Sequence, residues 1–212
     1  MALTIVTPAT NKRLCRLPDV KAELGLTDAT QDVLLDRYID EASDIIQKCI
    51  RKVLARQIYD ETVAGYGSNI LMLSNTPIVS VTSILINGSP VTDYSVEDAY
   101  AGLLYRKVGW EWTAAVEWDI GSFYRPDSEE PLFTVRYVAG FVVPEEASSD
   151  LPLVYQRCAI DTVKDWYLKR SHDPAVLSEK VGDLSVTYNE AAAEKGLPLH
   201  VLCRLQGDKR YF

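Results

Sequence analysis

Apolar and polar positions follow two different rhythms along this chain, and the change of rhythm divides it. Residues 28–55, DATQDVLLDRYIDEASDIIQKCIRKVLA, contain neither Gly nor Pro and carry an unbroken apolar row at i+4 spacing: Leu34, Tyr38, Ala42, Ile46, Ile50 and Leu54. Leu35, Ile39, Ile45, Cys49 and Val53 widen that row to the stripe a buried helix face requires. The pattern predicts one long amphipathic helix. Thr27 or Asp28 is the candidate N-cap, and Asp28 has Gln31 at capping-box spacing. On the opposite side of the cylinder runs a ladder of like charges, Asp28, Asp32, Asp36, Asp40 and Asp44, followed by Lys48 and Lys52.

Before this stretch, LPDVKAELGL predicts a brief helix with Pro18 in its first turn and Gly25 as its stop. After Arg56 the period becomes alternating. Strands are predicted at 57–63, 69–74, 78–86, 92–96, 103–107 and 133–141, with Asn87-Gly88 as the clearest hairpin turn. Helical spacing returns from Asp150 to Arg170 through Val154, Cys158, Ala159, Val163, Trp166 and Tyr167. SEKVGDLSVTY then alternates around Gly182-Asp183 as a small hairpin, and LPLHVLCRLQ adds short helical turns. The two long apolar helix faces flank the β segment and lack other partners of similar length. The expected class is therefore α+β: an antiparallel helical bundle built on two long helices, with an inserted antiparallel β unit and a small C-terminal hairpin. Residues 1–55 and 144–212 would form the helical core, and 56–143 the inserted β subdomain.

Composition narrows the function. A chain of 212 residues can bury about 70% of its unfolded surface, so it needs no staples. Its four cysteines, Cys15, Cys49, Cys158 and Cys203, show no metal-ligand spacing and are expected to be reduced. No apolar run is long enough to span a membrane, and the opening residues do not form a signal peptide, so no membrane partner and a cytoplasmic origin are expected. A net charge of −8 and a pI near 4.8 argue against a protein that grips nucleic-acid phosphates. They are compatible with one that lets nucleic acid slide past.

The sequence contains no nucleophile elbow, zinc-protease motif, phosphate loop or dinucleotide fingerprint, and its only histidines are His172 and His200. No catalytic residue, metal ligand or cofactor is expected. One alternative chemistry is a carbohydrate-binding or glycan-hydrolysing surface at residues 110–119, where Trp110, Trp112 and Trp118 accompany Glu111, Glu117 and Asp119. Alternation puts the tryptophans on one face and the carboxylates on the other, which also describes a half-buried strand pair.

Several segments in succession resemble the head–tail connector proteins of tailed bacteriophages, also called adaptor or head-completion proteins. They are LTIVTPATNKRLCRLPDVKAELGL, TDATQDVLLDRYIDEAS, RKVLARQIYDE, LSNTPIVSVTSILINGSPV, GLLYRKVGW, VRYVAGF and AIDTVKDWYLKR. The resemblance implies a structural protein of the virion head–tail interface, assembled in the bacterial cytoplasm and without catalysis. It implies a ring of about twelve copies below the portal protein that continues the DNA channel and offers a platform to a tail stopper or tail-completion protein. Double-stranded DNA would pass without specific binding. Twelve copies would sum to a charge of about −96 before screening. The aspartate ladder could then line the channel, meet a basic neighbour, or simply be a solvated face. The resemblance also implies that the C-terminal end, here Lys209, Arg210, Tyr211 and Phe212, reaches the portal.

Overall fold

The computed structural model describes residues 2–111, 133–146, 148–170, 178–181, 184–187 and 196–208. The chain divides into two compact units that it visits in turn: Met1–Thr10 with Arg56–Gly140, and Asn11–Ala55 with Phe141–Phe212.

The first unit is built from strands. β1 (Ala2–Thr7), β2 (Gln57–Val63), β4 (Ile78–Ile86), β5 (Ser89–Pro90) and β8 (Phe133–Ala139) form an antiparallel sheet in the order β1-β2-β8-β4-β5. β3 (Ile70–Met72), β6 (Ser95–Asp98) and β7 (Leu103–Tyr105) form a second antiparallel sheet in the order β3-β7-β6. In β2 and β8 every second residue is buried, as a period of two demands when one sheet face meets a core. That core joins Tyr59, Val63, Ile84, Val135 and Tyr137 of the larger sheet to Leu71 and Leu104 of the smaller one. On the opposite face Arg136 holds Asp60 through two hydrogen bonds of 2.7 and 2.6 Å, directly across the β2–β8 register. The β4–β5 turn is made by Asn87 and Gly88, both at positive φ, as the Asn-Gly signal predicts.

The second unit holds α1 (Leu17–Leu24), α2 (Asp32–Ile50), α3 (Leu153–Lys169) and α4 (Leu199–Leu205), with an antiparallel pair, β9 (Ser178–Val181) and β10 (Leu184–Thr187). α2 packs on α1 and α3, and α3 on α4. Leu35, Ile39, Ala42, Ile46 and Ile50 of α2 meet Val20, Cys158, Ala159, Val163, Val201 and Leu205 in one core. Two buried polar residues of α2 fasten the chain on either side of the helix. Ser43 Oγ accepts from the Leu14 N–H at 3.0 Å, and Gln47 Oε1 accepts from the Leu54 N–H at 3.0 Å.

The helical-bundle expectation is corrected. Ten strands, eight of them in antiparallel sheets of five and three, stand beside four α-helices among the described residues; the fold is not a bundle built on two long helices. Two physical reasons account for the difference. The apolar row from Leu34 to Leu54 does not stay helical, because Arg51 turns left-handed (φ 56°, ψ 38°) and stops α2, so Leu54 and Ala55 are buried in extended chain. At the other end the helix starts at Asp32 behind Gln31, with no side-chain cap, so the Asp28 capping box does not form. The apolar lead at 2–7, too short to announce a partner, pairs with β2 and enlarges the sheet.

Candidate interaction surfaces

Asp28 of the aspartate ladder lies exposed in the turn before α2; the other four are on the helix. Each of those four already meets a cation of its own chain. Lys21 Nζ is 2.7 Å from Asp32, Lys48 pairs with Asp44 one turn away, and Arg13 takes both Asp36 and Asp40. Arg13 is the hub that sequence reasoning missed: its guanidinium donates to Asp40 at 2.6 and 3.0 Å, to Asp36 at 2.8 Å and to Glu145 at 3.2 Å. The hydrogen bond to Asp40 leads the effects that hold its pKa above the ordinary arginine value. One guanidinium among three carboxylates leaves this patch net negative, so the ladder is braced without being neutralised.

A second ion-pair group joins α1 to α3. Glu23 accepts from Arg157 at 2.9 and 3.1 Å and from Lys164 at 2.8 Å, and its carboxyl is held down at about 2, first by the Arg157 hydrogen bond and then by Lys164. In the sheet unit, Glu61 is a buried carboxylate. It accepts from the Ser74 N–H at 2.9 Å, from the Ser74 hydroxyl and from the Tyr137 hydroxyl at 2.5 Å, while Tyr137 Oη accepts from the Asn75 N–H at 3.1 Å. These bonds satisfy the charge and fix the 74–75 loop on the sheet. They do not converge on an opening, which makes the group structural.

Trp110, the described member of the tryptophan set, is fully buried. Its Nε1–H donates to the Asn69 carbonyl at 3.2 Å and its ring stands edge-on to Phe133 at 5.2 Å. Neither ring face is free for a sugar. Trp112, Glu117, Trp118 and Asp119 lie outside the described residues, as do His172 and the tail residues Lys209, Arg210, Tyr211 and Phe212. Glu111 is exposed beside the buried Trp110. His200 is exposed on α4, 3.7 Å from Asp161. Cys15, Cys49 and Cys158 are buried and Cys203 is exposed; burial pushes the Cys15 thiol up to about 12. Among the described residues no cluster of His, Cys, Asp or Glu could hold a metal ion, and no helix is long and apolar enough to cross a membrane.

What the surface does offer is apolar and extended. β1 is exposed along its whole length, with Leu3, Ile5 and Val6 at 47, 45 and 43%. The outward face of the smaller sheet presents Ile70, Met72 and Tyr105, in which Ile70 and Tyr105 are cross-strand neighbours. A sequence signal for the first of these existed. ALTIVT and IVSVTSILI are two uncharged β-rich runs in a chain that is one-quarter charged.

Exposed apolar positions on strands of this kind suit burial against another surface. A family model described as head completion protein (HCP) matches residues 13–205, and the chain belongs to that family. It is a structural protein of virion assembly in bacteriophages, in the head–tail connector or head-completion group. No curated protein matches the chain. Among solved structures, a chain in the neck of an empty gene transfer agent particle, computed with C6 symmetry, superposes with a TM-score of 0.60 at 16% identity. The match covers 100% of this chain and 97% of that one. A chain in the neck of a native particle computed with C12 symmetry gives 0.55 at 16% identity, with coverage of 100% and 97%. At such identity the likeness shows a shared fold.

Proposed function

We propose that the protein is a ring-forming connector, about twelve copies around an axis, that docks below the portal, extends the DNA channel and presents a platform to the tail or stopper. The observation that carries this reading is the full-length likeness to chains from necks computed with sixfold and twelvefold symmetry, joined to membership of the head completion family. The partners beyond a second copy are read from that role: portal protein on one side, a tail-completion protein on the other, and double-stranded DNA as passing cargo.

Within the ring, the aspartate ladder is placed at the channel wall or at the contact with a neighbour. The excess of carboxylates around Arg13 supports the first placement, since DNA does not adhere to a wall of its own sign. The tail from Lys209 to Phe212 is proposed to dock on the portal, where two cations and two aromatics suit an acidic or apolar groove. The test is electron microscopy of the protein added to tailless, portal-bearing heads. A ring of density on the portal vertex is expected; heads that remain bare at saturating protein would refute the reading.

A further inference from the structure

Among the described residues the larger sheet of the first unit has an open edge on each side. Its order places β1 at one end; at the other, β5 pairs with β4 at Leu85 and Ile86, the Val91 N–H donates to the Ile84 carbonyl and the Ile78 N–H donates to the Ala99 carbonyl. Between those bonds the rim of β4 carries exposed Val79, Ser80 and Thr82 and opens onto a groove of about 560 Å³. Val81, Ile84, Val91, Tyr94 and Val96 line it, and none of the lining residues is charged. β1 is equally free of charge, and two of its side chains are on the wrong side for solvent. Leu3 and Ile5 stand opposite buried Glu61 and Tyr59 in the β1–β2 register, so they share the core face of the sheet, yet each is nearly half exposed. Natural sheet edges are usually protected by lysine, proline or an inward charge. Both of these edges lack a charge.

Strand direction makes the two edges complementary. Every pairing across the sheet is antiparallel, so β1 and β8 run one way and β2 and β4 the other. Repeating the sheet along its own hydrogen-bonding direction therefore brings β1 of the next copy antiparallel to β4 of the first. That is the lane β5 already occupies at one end of β4, running in the same sense as β1. The lengths are comparable: β1 has 6 residues, about 20 Å of strand, and residues 79–83, the stretch of β4 between the bonds to Ala99 and Val91, span about 17 Å.

We propose that β1 of one copy adds as a strand to the β4 edge of a second copy of this chain, with Leu3 and Ile5 entering the uncharged groove. The contact is heterologous: each copy gives an edge and receives one. Such a contact propagates instead of stopping at a dimer, and it closes into a ring when the rotation from copy to copy returns to the start. The proposal rests on the ring reading above and names the surfaces that would close it.

Two full-length double variants test it, one altered at Leu3→Lys and Ile5→Lys, the other at Val79→Lys and Thr82→Lys. All four positions are exposed, and circular dichroism melts check that each variant folds as the wild type does. Rings are scored by analytical ultracentrifugation of concentrated protein and by microscopy on portal-bearing heads. Each variant alone is expected to lose ring yield by about tenfold or more, since a buried, unpaired ammonium opposes the contact. Mixed together, the two should give a heterodimer of twice 23.7 kDa and no ring, because one intact edge faces one intact groove. Wild-type ring yield from either variant would overturn the proposal while leaving the ring reading standing. A mixture that stays monomeric, or a β1 variant that forms rings yet no longer binds heads, would overturn it too, the latter by assigning β1 to the portal. Wild-type protein that forms no ring under either condition sinks the ring reading itself.

Discussion

Glu23 shows how single charges set the behaviour of the helical unit. Its carboxyl sits at about 2 instead of the ordinary 4.5 because Arg157 and Lys164 favour the ionised form. A lowered pKa contributes stability that is complete above about 4.5 and is lost as the pH falls toward 2. Thermal melts should show wild type above Glu23→Gln at neutral pH, with the gap closing between those two values; a gap independent of pH would contradict the assignment. Arg51 is the opposite case, a residue that works against its place. It ends α2 in the left-handed region, where its N–H donates to Lys48 O at 3.2 Å and that of Lys52 to Gln47 O at 3.1 Å. A side chain costs about 1–2 kcal/mol in that conformation and glycine gives back part of this through its freer unfolded chain. Arg51→Gly should therefore raise stability by about 0.5 kcal/mol in urea titrations.

At the scale of elements, the core of the sheet unit depends on pairs that reach between strands and loops. Removing the Tyr137 hydroxyl takes one of two donors from Glu61 Oε2, which keeps the Ser74 N–H, and leaves the Asn75 N–H without its acceptor. Tyr137→Phe should cost about 1–3 kcal/mol in chemical denaturation. Trp110→Ala should cost about 3–5 kcal/mol and loosen the packing on Phe133. Gly65 is required by close approach: an added Cβ would collide with the Glu111 carbonyl and come within 2.8 Å of the Phe133 ring. The strand at 57–63 and the one at 133–139, within the expected 133–141, were legible because alternation survives where one face is buried and the other is wet; the strand at 78–86 was legible from its β-branched run, its burial not alternating. The end of α2 was not, since nothing in the residue type of Arg51 announces a left-handed turn. β1 was hidden for a different reason: its partner lies more than fifty positions away, and strand pairing is decided by the partner. The ladder was visible as a pattern, but its bracing was not, because Arg13, Lys21 and Glu145 come from other segments.

For the whole molecule, the proposed ring gives the tail a defined experiment. Leu205 is fully buried in the helical core, so a truncation meant to probe docking must begin after it. Removing residues 209–212 should leave the melting temperature unchanged and abolish attachment to portal-bearing heads; attachment at wild-type level would return the tail to a passive role.

The interleaving of the two units has its own consequence for how the protein comes into being. β8 lies between β2 and β4 in space but follows both in the chain. A ribosome adding about 5–20 residues per second therefore releases β2 and β4 well before the strand that belongs between them. Throughout that interval the nascent polypeptide exposes two unmatched apolar ribbons, and in a host busy with phage messages it is then that a chaperone would be most needed.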